Sequence, residues 1–414
     1  NVRVLIDGKP SNIDVAQLLK QIPSSSIKQV ELITNPSAKY NPEGMSGIIN
    51  IILHKNTNTG FNGSFNNGVT FGKTPKVNSS LDLNYTVGKV NIYGNYGFNH
   101  GYQANHGNIN GYQPGDEKIV DMKFRNKNTS HLIKAGIDYY VDDFNTVSFY
   151  TNQNRFIASG NSSIYVDNFA KLDDLQNNSN KNKNPSETYN LDYKHKFKKE
   201  GENIEFEANF NKNVGNENSI FATQSPLVLT ELNAITNDNM NTKINLDYTN
   251  PFKDNSKLEL GSETRIENAN NNYDLNNAYY SDFEYKRNIH SVYATYGKQW
   301  TKWGFQVGTR FENYTVDALF HALDSDDENA NGNKTETITK TFNDKINTLY
   351  PSGYVSYKLS DKNSFNFNYS RRVDRPSIGQ VNPIREWSTP TVKSVGNPYL
   401  KPQFTNSFEL NYTR

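Results

Sequence analysis

The chain has 414 residues, with 44 Lys and Arg against 43 Asp and Glu, a formal charge of +1, and no cysteine. It therefore carries no net field that gathers nucleic acid, and a disulfide framework, thiol chemistry and Cys-ligated zinc are excluded together. Only 34% of residues are hydrophobic but 13% are aromatic, including 26 Tyr and 23 Phe, a combination foreign to disordered chains that points to strands apolar on one face only. No window approaches eighteen consecutive apolar residues, which excludes a transmembrane helix and leaves a transmembrane barrel open.

Residues 1–56 read as a small α/β unit. "NVRVLIDGKP" predicts a strand and a Gly turn. "NIDVAQLLKQIP" predicts a short helix with Ile13, Ala16, Leu19 and Ile22 on one face, ended by Pro23. "IKQVELIT" is a second strand, and after the connection from Pro36 to Gly47 "GIINIIL" is a strand apolar on both faces. Such a strand has to be covered on both sides.

From residue 57 the pattern changes to alternation. Leu81, Leu83, Tyr85 and Val87 share a face, as do Ile204, Phe206, Ala208 and Phe210, and further on Trp303, Phe305, Val307 and Phe311. A period of two belongs to β-strands. Short turns are predicted at 88–89, 142–145, 199–203, 251–256, 301–302 and 360–363. Between them lie polar stretches, 99–130, 157–187, 213–242, 267–288, 315–345 and 371–403, predicted as long loops flanking strands of about ten residues. In an up-and-down sheet every second connection lies on one edge, so the short turns collect on one rim and the long connections on the other. That asymmetry is the signature of an outer-membrane barrel, with short periplasmic turns and long extracellular loops. A water-soluble sandwich or propeller is the rival architecture, and a secreted adhesin the rival that needs no detergent.

Residues suited to chemistry are sparse. The seven His share no metal-ligand spacing; His100 and His106 fall in one predicted loop, where solvated side chains are the ordinary reading. "DSDDENANGNK" (324–334) has calcium-loop composition without the Gly and Glu that an EF-hand requires. No nucleophile and base constellation is present, and neither an enzymatic activity, a metal nor a cofactor is expected. Arg371, Arg372 and Arg375 form a basic cluster able to grip an anion, fork onto carboxylates of the N-terminal unit, or anchor lumen-facing salt bridges. Tyr102, Tyr112, Tyr279, Tyr280 and Trp387 are candidate ligand platforms or girdle residues.

Two ordered motifs carry a family resemblance. The series Ile27, Val30, Glu31, Ile33, Pro36, Ser37, Ala38, Tyr40, Gly44, Gly47, Ile49, Asn50 and Ile51 closely resembles the end of the plug domain of TonB-dependent outer-membrane receptors. It departs from that pattern with Thr34-Asn35 where Arg-Gly is usual, and with Asn41-Pro42 after the Tyr. "YSRRVDRPSIGQVNP" (369–383) followed by "GNPYLKPQFTNSFELNYT" (396–413) is similar to the barrel segment of a Bacteroidota branch of outer-membrane β-barrel proteins of the same receptor type. The resemblance implies residues 1–56 as the C-terminal part of a plug and 57–414 as a partial all-β, antiparallel, up-and-down transmembrane barrel; the alternation itself gives about fourteen strands, against the 22 the resemblance implies for the whole protein. Both ends of the whole protein are then expected to lie outside this chain, which opens at Asn1 rather than at an initiator Met.

By the same resemblance, Asn35, Pro36, Ser37, Tyr40, Gly44, Gly47 and Asn50 are the plug-motif residues, while Arg371, Arg372, Arg375 and Trp387 are, on their own chemistry, candidate plug–barrel or ligand contacts. The implied activity is import of a large or scarce ligand, of siderophore, glycan or peptide class, with plug rearrangement driven by TonB. The implied partners are outer-membrane lipid, TonB, an extracellular ligand, and a surface lipoprotein or other envelope subunit, with no nucleic acid among them. The rival function is a non-transporting barrel serving as structural subunit or docking platform of an envelope assembly.

Overall fold

The computed structural model describes residues 3–6, 9–10, 27–33, 38–43, 48–53, 60–72, 74–111, 118–168, 174–223, 229–276, 279–324, 336–389 and 392–414. The predicted helix over 12–22 lies outside them, as do Asn35, Pro36, Ser37, Gly44 and Gly47.

The N-terminal unit is a four-stranded mixed sheet of β1 (Arg3–Ile6), β2 (Lys9–Pro10), β3 (Ile27–Ile33) and β4 (Ile48–Leu53), in the order β2-β1-β4-β3. The apolar strand β4 sits inside this sheet, parallel to β1 and antiparallel to β3. Asn50 and Ile51, on opposite faces of β4, are both buried, as is Val4 of β1 on the Ile51 face, so the strand is covered on both sides there.

The remainder is one antiparallel sheet in which almost every strand pairs with its sequence neighbours. Its strands are β5 (Gly60–Thr70), β6 (Lys76–Val87), β7 (Val90–Gly111), β8 (Lys118–Tyr140), β9 (Asn145–Asn168), β10 (Asp174–Lys196) and β11 (Asn203–Thr223). They continue as β12 (Leu229–Pro251), β13 (Ser256–Leu275), β14 (Tyr279–Gln299), β15 (Trp303–Asp324), β16 (Glu336–Ser360) and β17 (Asn363–Asp374). After a helix α1 (Ile378–Val381) and a small hairpin of β18 (Glu386–Thr389) and β19 (Val392–Ser394), β20 (Gln403–Thr413) pairs with β17. The large sheet thus has 14 strands with β5 and β20 at its edges.

The six predicted short turns fall between β6 and β7, β8 and β9, β10 and β11, β12 and β13, β14 and β15, and β16 and β17, all on one rim. They are closed by backbone hydrogen bonds such as Phe252 N to Ser256 O at 2.7 Å and Trp300 N to Trp303 O at 2.7 Å. The predicted long loops need correction. Most of those polar stretches are paired strand, and β7 to β16 run for 20 to 25 residues. The ladder is made by backbone groups, so a run of Asn, Ser and Thr sustains it when their side chains also pair across strands. Thr188 Oγ1 donates to Asn211 Oδ1 at 2.7 Å, and Asn313 Nδ2 to Asn347 Oδ1 at 2.7 Å. Among the described residues a long connection is seen within 371–403, between β17 and β20, and it carries α1 and the hairpin.

The two faces divide along each strand. On β15, Trp303, Phe305, Val307 and Phe311 point outward from the turn rim, and the next outward positions are Asn313, Thr315 and Asp317. A band about 25 Å tall, crossed at about 35–45° by a strand rising about 3.3 Å per residue, takes roughly nine to eleven residues. The apolar run of β15 has that length, so the polar half of the strand projects beyond hydrocarbon. Trp300 and Trp303 at the rim stack on Phe305 and Tyr357, with centroids 5.5 and 4.4 Å apart, forming part of an aromatic girdle.

The inner face is less uniform than the composition suggests. At turn level and mid-height it is polar and charged. In the far halves of β13–β16 it buries Tyr273, Phe283, Tyr285, Phe320 and Phe342, against which the 375–402 connection packs Val381 and Ile384.

Candidate functional site

The residues joining the N-terminal unit to the inner wall are Ala38 to Glu43. Ala38 is buried against Gly308, where an added Cβ would lie 3.1 Å from the Ala38 Cβ, so a larger residue at 308 would crowd it. The Asn41 side chain accepts from Glu43 N at 3.0 Å, and its Nδ2 donates to Glu43 Oε2 at 3.4 Å, a local turn that holds the carboxylate over the loop. Pro42 O accepts from Val373 N at 3.2 Å, and Glu43 forms a parallel bridge with Val373 at the end of β17. The Asn41-Pro42 pair therefore makes the contact with the wall.

Glu43 meets three arginines from three places on the wall. Arg265 Nη1 of β13 lies 3.2 Å from Oε2, Arg375 Nη1 3.6 Å from the same oxygen, and Arg287 Nη1 of β14 3.8 Å from Oε1. Behind them stand wall carboxylates. Glu312 accepts from Arg310 Nε at 2.7 Å, Arg265 Nη2 at 3.1 Å and Arg375 Nη2 at 2.5 Å. Glu263 pairs with Arg310 at 2.5 Å, Arg265 at 3.0 Å and Lys243 at 3.5 Å, and Glu267 with Arg287 at 2.5 Å. The four arginines are matched by Glu43, Glu263, Glu267 and Glu312. Side chains of Arg310 and Glu312 are 1% exposed, and charges so desolvated persist only when paired and hydrogen-bonded.

The alternation of the strands builds this array. Glu263, Arg265 and Glu267 are consecutive inward positions of β13, and Arg310 and Glu312 consecutive inward positions of β15. Charges on one side chain in two, at membrane height, face the lumen because the outward positions between them meet lipid. Arg375 adds a cation–π contact with Tyr314 at 5.2 Å and a hydrogen bond to Tyr350 OH at 3.1 Å.

Of the three arginines singled out in the sequence, the structure separates the roles. Arg375 joins the Glu43 array. Arg371 lies 5.2 Å over the Phe404 ring, and it lines with buried Arg372 a cleft against Tyr40, Asn41 and Pro42. Asn50 is buried within the small sheet, where its Nδ2 donates to Glu31 Oε2 at 2.9 Å. Trp387 falls on β18, its side chain outside the described residues. Tyr112, too, lies outside them, as does most of the 324–334 stretch. Tyr279 meets Tyr273 edge to face on the inner wall, with ring centroids 5.9 Å apart, whereas Tyr102, His100 and His106 stand on β7, with His106 Nε2 2.7 Å from Asp121.

Sequence reasoning missed Glu43, Arg265, Arg287, Arg310 and Glu312. The signal was available: "ETRIE" (263–267) and "RFE" (310–312) set opposite charges on alternate positions inside segments whose other face is apolar, a costly placement at membrane level.

Above the array the 375–402 connection forms a strap. Gln380 Oε1 accepts from Ser377 N at 2.9 Å and Oγ at 3.1 Å, starting α1. Gly396 N then donates to Asn382 O at 2.8 Å and Asn397 N to Gln380 O at 2.7 Å, tying the two arms. A Cβ on Gly396 would come within 2.5 and 2.6 Å of the Asn382 and Gln380 carbonyl oxygens, so glycine is required there.

Residues 195–414, more than half of the chain, match the sequence model of the outer membrane protein beta-barrel family. No curated protein sequence matches the chain. Among solved structures it is similar to the ferric yersiniabactin uptake receptor FyuA from Yersinia pestis (TM-score 0.59, 13% identity) and the ferric-catecholate import receptor Fiu from K12 E. coli (0.62, 13%). It is also similar to the Serratia marcescens hemophore receptor HasR in complex with its hemophore HasA and heme (0.57, 11%). In each case 99% of this chain is covered, and it spans 60%, 63% and 61% of those chains respectively. At such identities the likeness is one of fold, and it extends over the small sheet as well as the large one. With the family match and the lipid-facing band, the conclusion follows that this chain belongs to the outer membrane protein beta-barrel family and resides in the bacterial outer membrane.

Proposed function

We propose that the chain is part of a TonB-dependent outer-membrane transporter, with residues 1–56 the end of its plug and 57–414 a portion of its barrel. The ligand is one too large or too scarce for passive pores, of siderophore, glycan or peptide class. The observation that carries this reading is the Glu43 array. Among the described residues the N-terminal unit is tied to the wall by ion pairs, a backbone bridge at Val373 and the small contact of Ala38 with Gly308. Contacts of that kind hold a fixed register yet exchange for water as the lumen hydrates, whereas a continuous apolar seam would have to be exposed as a whole. Likeness to receptors for ferric siderophores and a hemophore supports the transport class. An inner-membrane partner of TonB type would pull the N-terminal unit, break the Glu43 contacts, and open the passage under the strap.

The chain has no cysteine, which allows a clean lock. Ala38→Cys with Gly308→Cys, in a Thr295→Ala background that clears the 2.7 Å approach of Thr295 Oγ1, sets two Cβ positions 3.1 Å apart, a few tenths of an ångström inside the usual disulfide separation, so that a small shift of residues 38–43 closes the bond between unit and wall. A strain lacking the full-length protein is supplied in turn with a ferric catecholate, an oligosaccharide and an oligopeptide as the limiting nutrient. Transport predicts that one supply fails, that the wild-type protein restores it, and that the locked variant restores it only after reduction. Normal growth of the deletion strain on all three, or full rescue by the oxidised variant, overturns the proposal. Loss of an envelope assembly without loss of uptake would favour the docking platform.

A further inference from the structure

The outer wall carries a second feature that transport does not explain. We propose that a basic patch on β8–β10, just above the apolar band, binds the phosphate groups of an anionic lipid in the outer leaflet. On β8 the outward positions run Tyr139, Ile137, Ala135 and Ile133, then His131 and Thr129, then Lys127, Arg125 and Lys123. Counting roughly ten residues from the turn rim for the hydrocarbon band places its upper edge near Ser130, so the three cations stand at headgroup height. On β10 the same count from the rim ends near Pro185, and the next outward positions are Lys183 and Lys181. Register brings the strands' cations together, because Lys127 of β8 and Lys181 of β10 both pair with Ser159 of β9.

The patch is short of countercharge. Lys123 lies 3.9 Å from Asp121, which also binds His106, and Arg155 lies 3.9 Å from Glu187. Arg125 and Lys127 instead flank the Tyr102 ring, at 5.2 and 5.8 Å. Among the described residues no carboxylate pairs with Lys181 or Lys183, and both side chains are exposed. At the same height on β14–β16, the outward charges are mixed, Asp282, Glu284 and Asp317 with Lys286 and Lys345. A cationic field on one wall, at the level of headgroup phosphates and with an aromatic between its cations, matches a phosphorylated lipid headgroup by charge and by depth. A soluble anion would gain nothing from the depth.

The test uses the full-length protein in a neutral maltoside detergent, with bisphosphorylated lipid A as the probe and native mass spectrometry as the readout. Retained lipid A is expected on the wild type, weakening as salt rises. Each surface cation near an anionic headgroup is worth roughly fivefold in affinity, so Arg125→Gln/Lys127→Gln/Lys181→Gln/Lys183→Gln is expected to weaken binding by more than about tenfold. Lys286→Gln/Lys345→Gln on the other wall is expected to leave it unchanged, and Lys→Arg replacements at 127, 181 and 183 to preserve it. Heat-modifiable gel migration checks that each variant is folded, and the pair Arg125→Gln/Lys127→Gln provides a milder variant should the fourfold one misfold. Equal binding by the neutralised patch, equal binding of dephosphorylated lipid A, or displacement by inorganic phosphate at equal concentration overturns the proposal.

Discussion

Removing the Glu312 carboxylate probes the array most directly. Glu312 is 1% exposed and accepts from Arg310, Arg265 and Arg375 at 2.7, 3.1 and 2.5 Å. Glu312→Ala leaves three guanidinium groups facing one another in a desolvated site, and breaking a buried pair in this way costs about 3–5 kcal/mol. Glu43 makes longer contacts, 3.2 to 3.8 Å, from a side chain that is 25% exposed. Its loss, as Glu43→Ala, therefore falls between exposed and buried pairs, at about 1–2 kcal/mol. Urea unfolding of the detergent-folded protein supplies both numbers, and a double-mutant cycle with Arg375→Ala isolates the shared term, expected at about 1–3 kcal/mol for Glu312. The two variants also differ in kind. Glu43→Ala is expected to raise amide exchange in the Ile48–Leu53 strand while leaving the wall protected, whereas Glu312→Ala weakens β13, β15 and the Arg375 end of the strap together. A Glu312→Ala cost below about 1 kcal/mol, or one smaller than that of Glu43→Ala, refutes the claim that buried charges at this site are mutually dependent.

Three further outcomes follow from local geometry. The Asp254 carboxyl is held down to about 2 by the Lys298 ammonium at 2.6 Å and then by the Ser256 hydroxyl. Its folded value lies below its unfolded one, so its contribution is complete above about pH 4 and disappears as pH falls through about 2. Asp254→Asn is then expected to melt earlier than wild type at pH 7 and together with it at pH 2, read by thermal scans at both. Gly396→Ala drives a Cβ into the Asn382 and Gln380 carbonyls, and overpacking of this kind costs about 1–3 kcal/mol, so tryptic cleavage at Arg385 should accelerate; an unchanged cleavage rate removes the tie between the strap's arms. Val307→Lys puts a charge in the apolar band and should cost about 2–4 kcal/mol, while Thr315→Lys on the same face, beyond the band, should cost at most about 1 kcal/mol. Equal costs would mean the boundary near Asn313 is misplaced.

The strand count, the single rim of short turns and the doubly covered β4 were legible because each rests on local pattern. Period two reads from Trp303 to Phe311 as clearly in sequence as in space, and "GIINIIL" has no polar face to leave uncovered. The polar halves of β7–β16 were not legible as strand. Outside the lipid, a residue's polarity carries no information on whether its backbone is paired, and runs such as "NENSI" and "NANNN" have the composition of loops while forming ladders. The Glu43 array was half legible. Arg375 could be chosen as a charge in a motif, but its equality with Arg371 and Arg372 could not be broken without knowing that the chain turns inward after Asp374.

The separation in sequence explains why Glu43 itself escaped notice and also suggests why it is charged. Arg265 is 222 residues away, and no local rule links them. A residue that must find partners on several wall strands after the wall has formed cannot rely on shape alone, since each apolar seat on a smooth barrel interior resembles its neighbours. A carboxylate among three guanidinium groups has one deep minimum, set by charge and by hydrogen-bond direction. Desolvation offsets much of the Coulomb gain, so the contact adds specificity of position more than depth of binding. In the transport reading proposed above, that balance would suit a reversible closure: one register, held against thermal motion, and released once water replaces the wall's donors around Glu43.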